Sequence, residues 1–138
     1  MKKMNLMIGG LLMICITGTS FIMIRQPTPW EVPDKYVKMP NPVKPDTKSL
    51  TAGKALYLVN CEPCHGKKGI GNGTKAADLK TTPGNFTKDA FQSQSDGIIF
   101  YKMTEGRKEM PKAKKDLPVD IDRWNLVNYL RTFAAAKK

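Results

Sequence analysis

The sequence is poor in the residues that bind metals, with one histidine and three cysteines in 138 residues. A structural zinc site takes four cysteine or histidine ligands. Only Cys61, Cys64 and His65 lie close together, so the sequence disfavours zinc. A single histidine also excludes a site made from two histidines of this chain. Runs of alternating apolar and polar residues are lacking as well, which disfavours β-structure.

Acidic residues are scarce, with 12 Asp and Glu against 23 Lys and Arg and a net charge of +11. Such a balance suits nucleic acid, an anionic membrane surface or an acidic protein partner. The lysines are scattered rather than clustered with aromatic residues, and no nucleic-acid-binding motif is present. We therefore predict a solvated basic surface and no nucleic-acid partner.

Residues 4–24 contain no charged residue, with Lys2 and Lys3 before them and Arg25 after them. About 20 apolar residues cross a bilayer as a helix, and the two lysines predict that the N-terminus stays in the cytoplasm. We predict a membrane anchor over residues 1–25. A cleaved signal peptide, or lipid attachment at Cys15, remains an alternative. Each of the three exports the rest of the chain.

Residues 26–48 hold six of the ten prolines. Proline lacks an N–H and fixes φ, so this stretch cannot be a helix interior or a central strand. We predict a proline-rich linker. The alternative is a segment that wraps against the domain or a partner, and Trp30, Tyr36 and Met39 favour partial docking.

Three later segments have helical patterns. Residues 49–60 suit a helix capped by Ser49, residues 93–106 a helix capped by Ser95, and residues 119–136 a helix capped by Asp120. The last has a core-facing stripe, formed by Leu126, Val127, Leu130, Phe133 and Ala134. We predict an all-α class with long connections, which a large buried cofactor would explain.

The sequence CEPCH, residues 61–65, has the C-x-x-C-H pattern of covalent haem attachment. A thioredoxin-like redox pair needs a βαβ context, which the sequence does not show. A simple disulfide would leave His65 unexplained. Cys61 and Cys64, three residues apart at a helix end, can reach two carbons of one porphyrin edge. His65 would then be the proximal iron ligand. We predict one covalent haem c.

A sixth iron ligand has to come from a methionine if it comes from this chain. After residue 25 the methionines are Met39, Met103 and Met110. Met103 falls within a predicted helix and suits core packing. Met110 lies in a loop and precedes Pro111, so its thioether can approach the iron without a helix backbone colliding with the ring. We predict Met110 as the ligand, with Met103 or an open position as alternatives.

Four sequence blocks follow one another along residues 45–135: AGKALYLVNCEPCHG, GIGNGTKAADLKTTPGNFT, SDGIIFYKMTEGRKEMP and DRWNLVNYLRTF. In this order they resemble the small monohaem cytochromes c of class I type. The resemblance implies a small cytochrome c fold, with a few helices around one covalently bound haem, over residues 49–138. It also implies that Gly53 and Tyr57 cross Leu126 and Tyr129.

The resemblance implies further roles around the cofactor. Pro83 resembles the proline whose carbonyl accepts a hydrogen bond from the proximal imidazole. Arg107 could pair with a haem propionate or lie on the surface. Three residues resemble haem-crevice residues, although they also suit ordinary core: Phe86, Ile99 and Trp124.

The resemblance implies one-electron transfer between redox partner proteins and no enzyme activity of the chain alone. The donor would be a quinol-oxidising complex or a dehydrogenase, and the acceptor an oxidase or another cytochrome. We expect either a membrane-tethered carrier or a subunit of a respiratory quinol-oxidising complex or dehydrogenase, on the periplasmic face of a bacterial inner membrane. Six lysines could steer an acidic partner: Lys67, Lys68, Lys108, Lys112, Lys114 and Lys115. The alternative is a haem protein with an open sixth position, such as a gas sensor or a peroxidase-like protein.

Overall fold

The computed structural model describes residues 29–134. Over that range the chain forms seven α-helices and one short 3-10 helix, and its only bridge pairs Arg107 with Met110. The helices are α1 (Asp34–Val37), α2 (Thr47–Asn60), α3 (Glu62–His65), α4 (Asp89–Gln92), α5 (Asp96–Glu105), α6 (Ala113–Asp116) and α7 (Asp120–Arg131), and the 3-10 helix is Ala76–Asp78. The described part of the chain therefore confirms the predicted all-α class.

The predicted anchor over residues 1–25, including Cys15, lies outside the described residues. Between residues 29 and 134, no helix is both long enough and apolar enough to cross a bilayer.

The core is built on the crossing of α2 and α7. At Gly53 the backbones approach so closely that a Cβ would lie 2.1 Å from the Asn125 carbonyl oxygen. Tyr57 and Leu126 are fully buried beside this crossing, and the Tyr57 and Tyr129 rings lie 5.4 Å apart. The contact expected from the resemblance is thus present in the fold.

Helix α5 completes the core against α7. Its Phe100 ring stacks on Trp124 with 4.0 Å between centroids. The predicted cap is confirmed, since the Ser95 hydroxyl accepts a hydrogen bond from the Ile98 N–H. The helix ends at Glu105 and is capped by Gly106, which adopts a φ of 59° that favours glycine.

Two other predicted caps are wrong. Asp46, not Ser49, caps α2 by accepting from the Ser49 N–H. Ser49 is buried, and its hydroxyl accepts from the Asn128 side chain instead. Asp120 lies inside the first turn of α7, where it pairs with Arg123 and leaves Val119 at the cap position.

Helix α7 is also shorter than predicted, because it ends at Arg131 rather than at residue 136. Of the predicted stripe, Leu126, Val127 and Leu130 are buried. Phe133 is only partly buried and Ala134 is exposed.

The described part of the proline-rich segment packs on the domain. Residues 29–46, here called the strap, run across α5 and α7. The Tyr36 ring lies 4.7 Å from that of Tyr101, and the Ser95 hydroxyl donates to the Val37 carbonyl. Asn128 donates to the Val43 carbonyl. This segment is therefore docked on the domain, an alternative that the sequence left open. The first turn of α2 begins inside the predicted linker.

Candidate cofactor site

A cavity of about 320 Å³ lies between the end of α2 and the loop that follows α5. Its volume falls within the range of ligand pockets, about 300–1,000 Å³. Its lining includes every predicted ligand residue and Met103: Cys61, Cys64, His65, Met103 and Met110. Residues far apart in sequence therefore meet at one cavity.

Cys61 joins α2 to α3. Its N–H donates to the Tyr57 carbonyl, and its own carbonyl accepts from the His65 N–H at 2.8 Å. The short helix α3 ends at His65 and is capped by Gly66, whose φ of 78° allows the chain to turn away. The C-x-x-C-H segment is thus fixed by backbone hydrogen bonds to the core helix.

The two thiols of the motif line the cavity and are not linked to each other. Burial, together with the neighbouring Cys64, raises the pKa of the Cys61 thiol to about 12. Cys61 therefore stays protonated at neutral pH, as a small apolar group against the cavity. Both sulfurs are placed for attachment of a group bound there.

The His65 side chain is only 9% exposed. Its Nδ1 lies 3.1 Å from the Gly84 carbonyl oxygen. A carbonyl only accepts, so Nδ1 must carry the proton and Nε2 keeps its lone pair for a metal. Burial lowers the pKa of His65, against a smaller opposing effect of the Gly84 bond, which favours the neutral ring that a metal ligand needs.

The acceptor is Gly84, not Pro83 as the resemblance implied. Pro83 lines the cavity, and its carbonyl instead lies 2.4 Å from where a Cβ of Gly71 would be. The loop thus presents the following carbonyl to the imidazole. Phe86 also holds the ring, because the two stack with 4.3 Å between centroids.

Met110 belongs to a tight turn, the methionine loop, residues 106–111. The N–H groups of Arg107 and Met110 each donate to the other's carbonyl at 3.0 Å. Lys108 within this turn has a φ of 54°, which is unusual for a residue with a side chain. Met103 reaches the same cavity from α5 and is 5% exposed.

Only one of the other predicted site residues lines the cavity that the described residues form. Arg107 lines the cavity. Three of them belong to the buried core and do not line the cavity that the described residues form: Phe86, Ile99 and Trp124. The structure supports the core interpretation for Ile99 and Trp124, whereas Phe86 is buried in the core and also stacks on His65.

The six lysines do not form one ring around the cavity. Lys108 lines it. Lys112 and Lys114 lie 3.9 and 2.7 Å from Glu105 carboxylate oxygens. Lys67 and Lys68 line a separate groove. Lys115 is exposed on α6. The six lysines expected to steer an acidic partner are therefore dispersed over the described surface.

Sequence reasoning missed Trp30 as a cavity residue. Its indole lines the cavity from the strap, outside the predicted domain. The signal was present, since a tryptophan is an odd choice for a solvated linker. Leu79 and Leu117 also line the cavity and were not predicted; the pattern offered no signal that marked them.

A protein-family comparison decides the family. The family described as cytochrome c oxidase, cbb3-type, subunit III matches residues 48–130, more than half of the chain. The chain belongs to this family. It is a monohaem cytochrome c of class I type, its cofactor is covalently bound haem c, and its chemistry is electron transfer.

Solved structures include similar chains. A chain of the Kuenenia stuttgartiensis reducing HAO-like protein complex Kustc0457/Kustc0458 aligns with a TM-score of 0.62 and 28% identity. The alignment covers 81% of this cytochrome and 53% of that chain, so this cytochrome spans about half of its length. The c-type cytochrome KustC0563 aligns at 30% identity and a TM-score of 0.49, over 60% of this chain and 98% of its own. No curated protein sequence matches significantly.

The site residues fit haem c. Two unlinked thiols and a histidine with a free Nε2 lone pair line the same cavity as two methionine side chains. This donor set, sulfur for thioether bonds and imidazole with thioether for iron, matches c-type haem ligation.

Proposed function

We propose that this cytochrome transfers single electrons through a haem c attached at Cys61 and Cys64, with His65 and Met110 as the axial ligands. The observation that carries this proposal is that the C-x-x-C-H segment and Met110, 45 residues beyond His65, line one cavity. Haem c bound there supplies a one-electron couple at its iron.

The surrounding residues tune that couple. The Gly84 carbonyl accepts the Nδ1 proton of His65, which fixes the ring and strengthens Nε2 as a donor. Phe86 stacks on the same ring and keeps it in one orientation. A methionine ligand and burial both raise the reduction potential, so the residues present favour a carrier of fairly high potential.

Met110 is favoured over Met103 by its place in the chain. Met103 lies on a buried turn of α5 and is part of the core cluster. Met110 lies on a loop, is partly buried, and exchanges backbone hydrogen bonds with Arg107. A sulfur on a loop can move to the iron without displacing a helix.

We further propose that residues 1–25 anchor the cytochrome and that its domain faces the periplasm of a bacterial inner membrane. Two roles are compatible with a tether: a carrier that swings on it, or a fixed subunit of a respiratory complex. Because the strap packs on the domain from Trp30 onward, only a few residues separate it from residue 25. Fully extended, each adds about 3.5 Å, so the tether is short and favours the fixed subunit.

Two comparisons support a place in a complex. The matching family carries the description of an oxidase subunit, and one similar chain belongs to a multi-protein complex. The partners would be redox proteins on either side of this cytochrome in an electron-transfer chain.

The ligand set is tested on the purified full chain, expressed in a host that attaches haem c. We expect haem that stays on the polypeptide after denaturation, and a weak near-infrared sulfur-to-iron band in the ferric state. Met110→Ala should abolish that band completely, whereas Met103→Leu should keep it. Loss of the band in Met103→Leu alone would reassign the sixth ligand.

The rival function is tested on the same preparations. A haem with an open sixth position binds carbon monoxide at once in the ferrous state, whereas a methionine-ligated haem resists it. We expect little spectral change for the wild type and rapid binding for Met110→Ala. Rapid binding by the wild type would favour a gas-binding or peroxidase-like role.

The place in a complex is tested by membrane extraction. We expect the full chain in the membrane fraction, co-purifying in mild detergent with larger redox subunits. A form in which residues 1–25 are replaced by a cleavable signal peptide should remain loaded with haem but become soluble. A full chain that purifies alone from native membranes would support the carrier instead.

A further inference from the structure

The strap connects the N-terminal part of the chain with the cofactor cavity. It lies before residues 48–130, the range of the family match. Even so, Trp30 lines the cavity together with Arg107 and Met110 of the methionine loop. An element outside the family domain therefore completes the lining on the side of the proposed sixth ligand.

Two cations hold the Trp30 indole in place. The Lys102 ammonium and the Arg107 guanidinium each lie 5.7 Å from the ring centroid, within cation–π distance. Lys102 belongs to the rigid helix α5, where it also donates to Gln94. Arg107 belongs to the methionine loop, and its backbone exchanges both hydrogen bonds with Met110. Trp30 thus links the loop to the helix.

The rest of the strap is fixed to the core, so that Trp30 is not on a free end. A Cβ at Gly97 would lie 2.1 Å from the Tyr36 carbonyl oxygen, which shows how closely the strap passes α5. The Asn41 amide donates to the Asp96 carboxylate at 3.3 Å and to the Asn128 side chain at 2.8 Å. Contacts with α5 and α7 therefore set where Trp30 lies.

We propose that Trp30 is a positioning residue for Met110: the strap holds the methionine loop closed and keeps outside ligands from the sixth position of the iron. This inference rests on the proposed axial role of Met110. Without the indole, the loop loses its contact with the strap, while it keeps its turn hydrogen bonds and those of the Glu109 carboxylate, which accepts from the Lys80 and Thr81 N–H groups. One residue of the loop, Lys108, also has a strained backbone. The open state of the loop is then populated more often.

The test measures how readily imidazole, added to the ferric full-length cytochrome, replaces the methionine. If only the open state binds imidazole, the apparent affinity rises in proportion to the open fraction. We expect Trp30→Ala to tighten imidazole binding by about tenfold or more. Trp30→Phe, which keeps an aromatic face for both cations, should lie between Trp30→Ala and the wild type.

A control separates positioning from general loss of stability. Val127→Ala creates a cavity at a fully buried position of α7 that does not line the cofactor cavity. We expect it to lower the urea midpoint of unfolding while leaving imidazole affinity within about twofold. Equal effects of Trp30→Ala and Val127→Ala on imidazole binding would overturn the proposal, as would no effect of Trp30→Ala.

A second readout does not depend on the sixth ligand. Hydrogen exchange at the Met110 amide, which donates to the Arg107 carbonyl, should become at least about tenfold faster in Trp30→Ala. If the wild type shows no near-infrared band and binds imidazole freely, the axial role of Met110 is wrong. The strap is then judged by this exchange rate alone, and an unchanged rate refutes it.

Discussion

The two parts of the chain that meet at the cofactor cavity are built in different ways. The C-x-x-C-H segment continues from the buried crossing of α2 and α7, and His65 is held by a hydrogen bond to Gly84 and by stacking on Phe86. The methionine loop is a turn held by one backbone exchange, by the indole of the strap and by Glu109, whose exposed carboxylate accepts from two backbone N–H groups of residues 80 and 81. The difference predicts a division of labour, in which one side fixes the cofactor and the other side opens first.

The strongest test of this contrast breaks the rigid side. A Cβ at Gly53 would lie 2.1 Å from the Asn125 carbonyl oxygen and 2.8 Å from the Tyr129 Cβ, so Gly53→Val must push α2 and α7 apart. We expect a loss of about 3 kcal/mol or more in the free energy of unfolding. Urea unfolding followed by circular dichroism measures it.

The matched control for this variant lies beside the imidazole. A Cβ at Gly84 meets no atom within 4 Å, and Gly84→Ala keeps the carbonyl that His65 needs. We expect a change within about 0.5 kcal/mol. A tolerant Gly53→Val would show that the helix crossing is not as close as the structure has it.

A smaller effect is expected from the hydrogen bond that links α2 to the end of α3. The Tyr57 hydroxyl donates to the Gly66 carbonyl at 2.6 Å. Tyr57→Phe removes this donor, while the Gly69 N–H still donates to the same carbonyl. We expect a cost of about 0.5–1.5 kcal/mol at pH 7, measured in urea. Tyr101→Phe, at a partly exposed ring, should cost less.

The same hydroxyl predicts a pH dependence. Burial raises the pKa of Tyr57 above its ordinary value of 10.0, so above that pH the unfolded chain loses this proton before the folded one does. Folding stability then falls as pH rises, by at most about 1.4 kcal/mol per pH unit for one group. Tyr57→Phe lacks this proton.

The measurement compares the two proteins across pH. The stability difference between wild type and Tyr57→Phe should be constant up to about pH 9 and should shrink or reverse by about pH 11. A difference that stays constant to pH 11 would contradict the buried, protonated tyrosine.

A feature of the fold or the site could be predicted from the sequence where it depends on residues close together in the chain. The C-x-x-C-H spacing, the Ser95 cap and the buried side of α7 depend on neighbouring residues and were predicted. Trp30 was not placed at the cavity, because its partner cations lie more than 70 residues away. The ligand roles of Cys61, Cys64 and His65 stay predictions until a spectrum tests them.

The wrong details have equally physical causes. Both Ser49 and Asp46 are suitable N-cap residues. Asp46 caps the helix because the Ser49 hydroxyl accepts a hydrogen bond from the Asn128 side chain instead. The carbonyl that accepts from the imidazole is one residue later than predicted. The conformation of the loop, not the position of its proline, decides which carbonyl faces Nδ1. Competition of this kind is settled by tertiary contacts that a local pattern does not contain.

The smallest predicted effect tests the methionine loop and has the opposite sign to the others. Lys108 has a φ of 54°, a conformation that costs a residue with a Cβ about 1–2 kcal/mol and glycine little. Lys108→Gly should therefore stabilise the cytochrome, by up to about 1 kcal/mol once the extra freedom of glycine in the unfolded chain is subtracted. Lys115→Gly, on an exposed position of α6, should instead destabilise by about 0.5–1 kcal/mol. Urea midpoints measured side by side decide the two signs, and destabilisation by Lys108→Gly would show that the loop is not strained at this position.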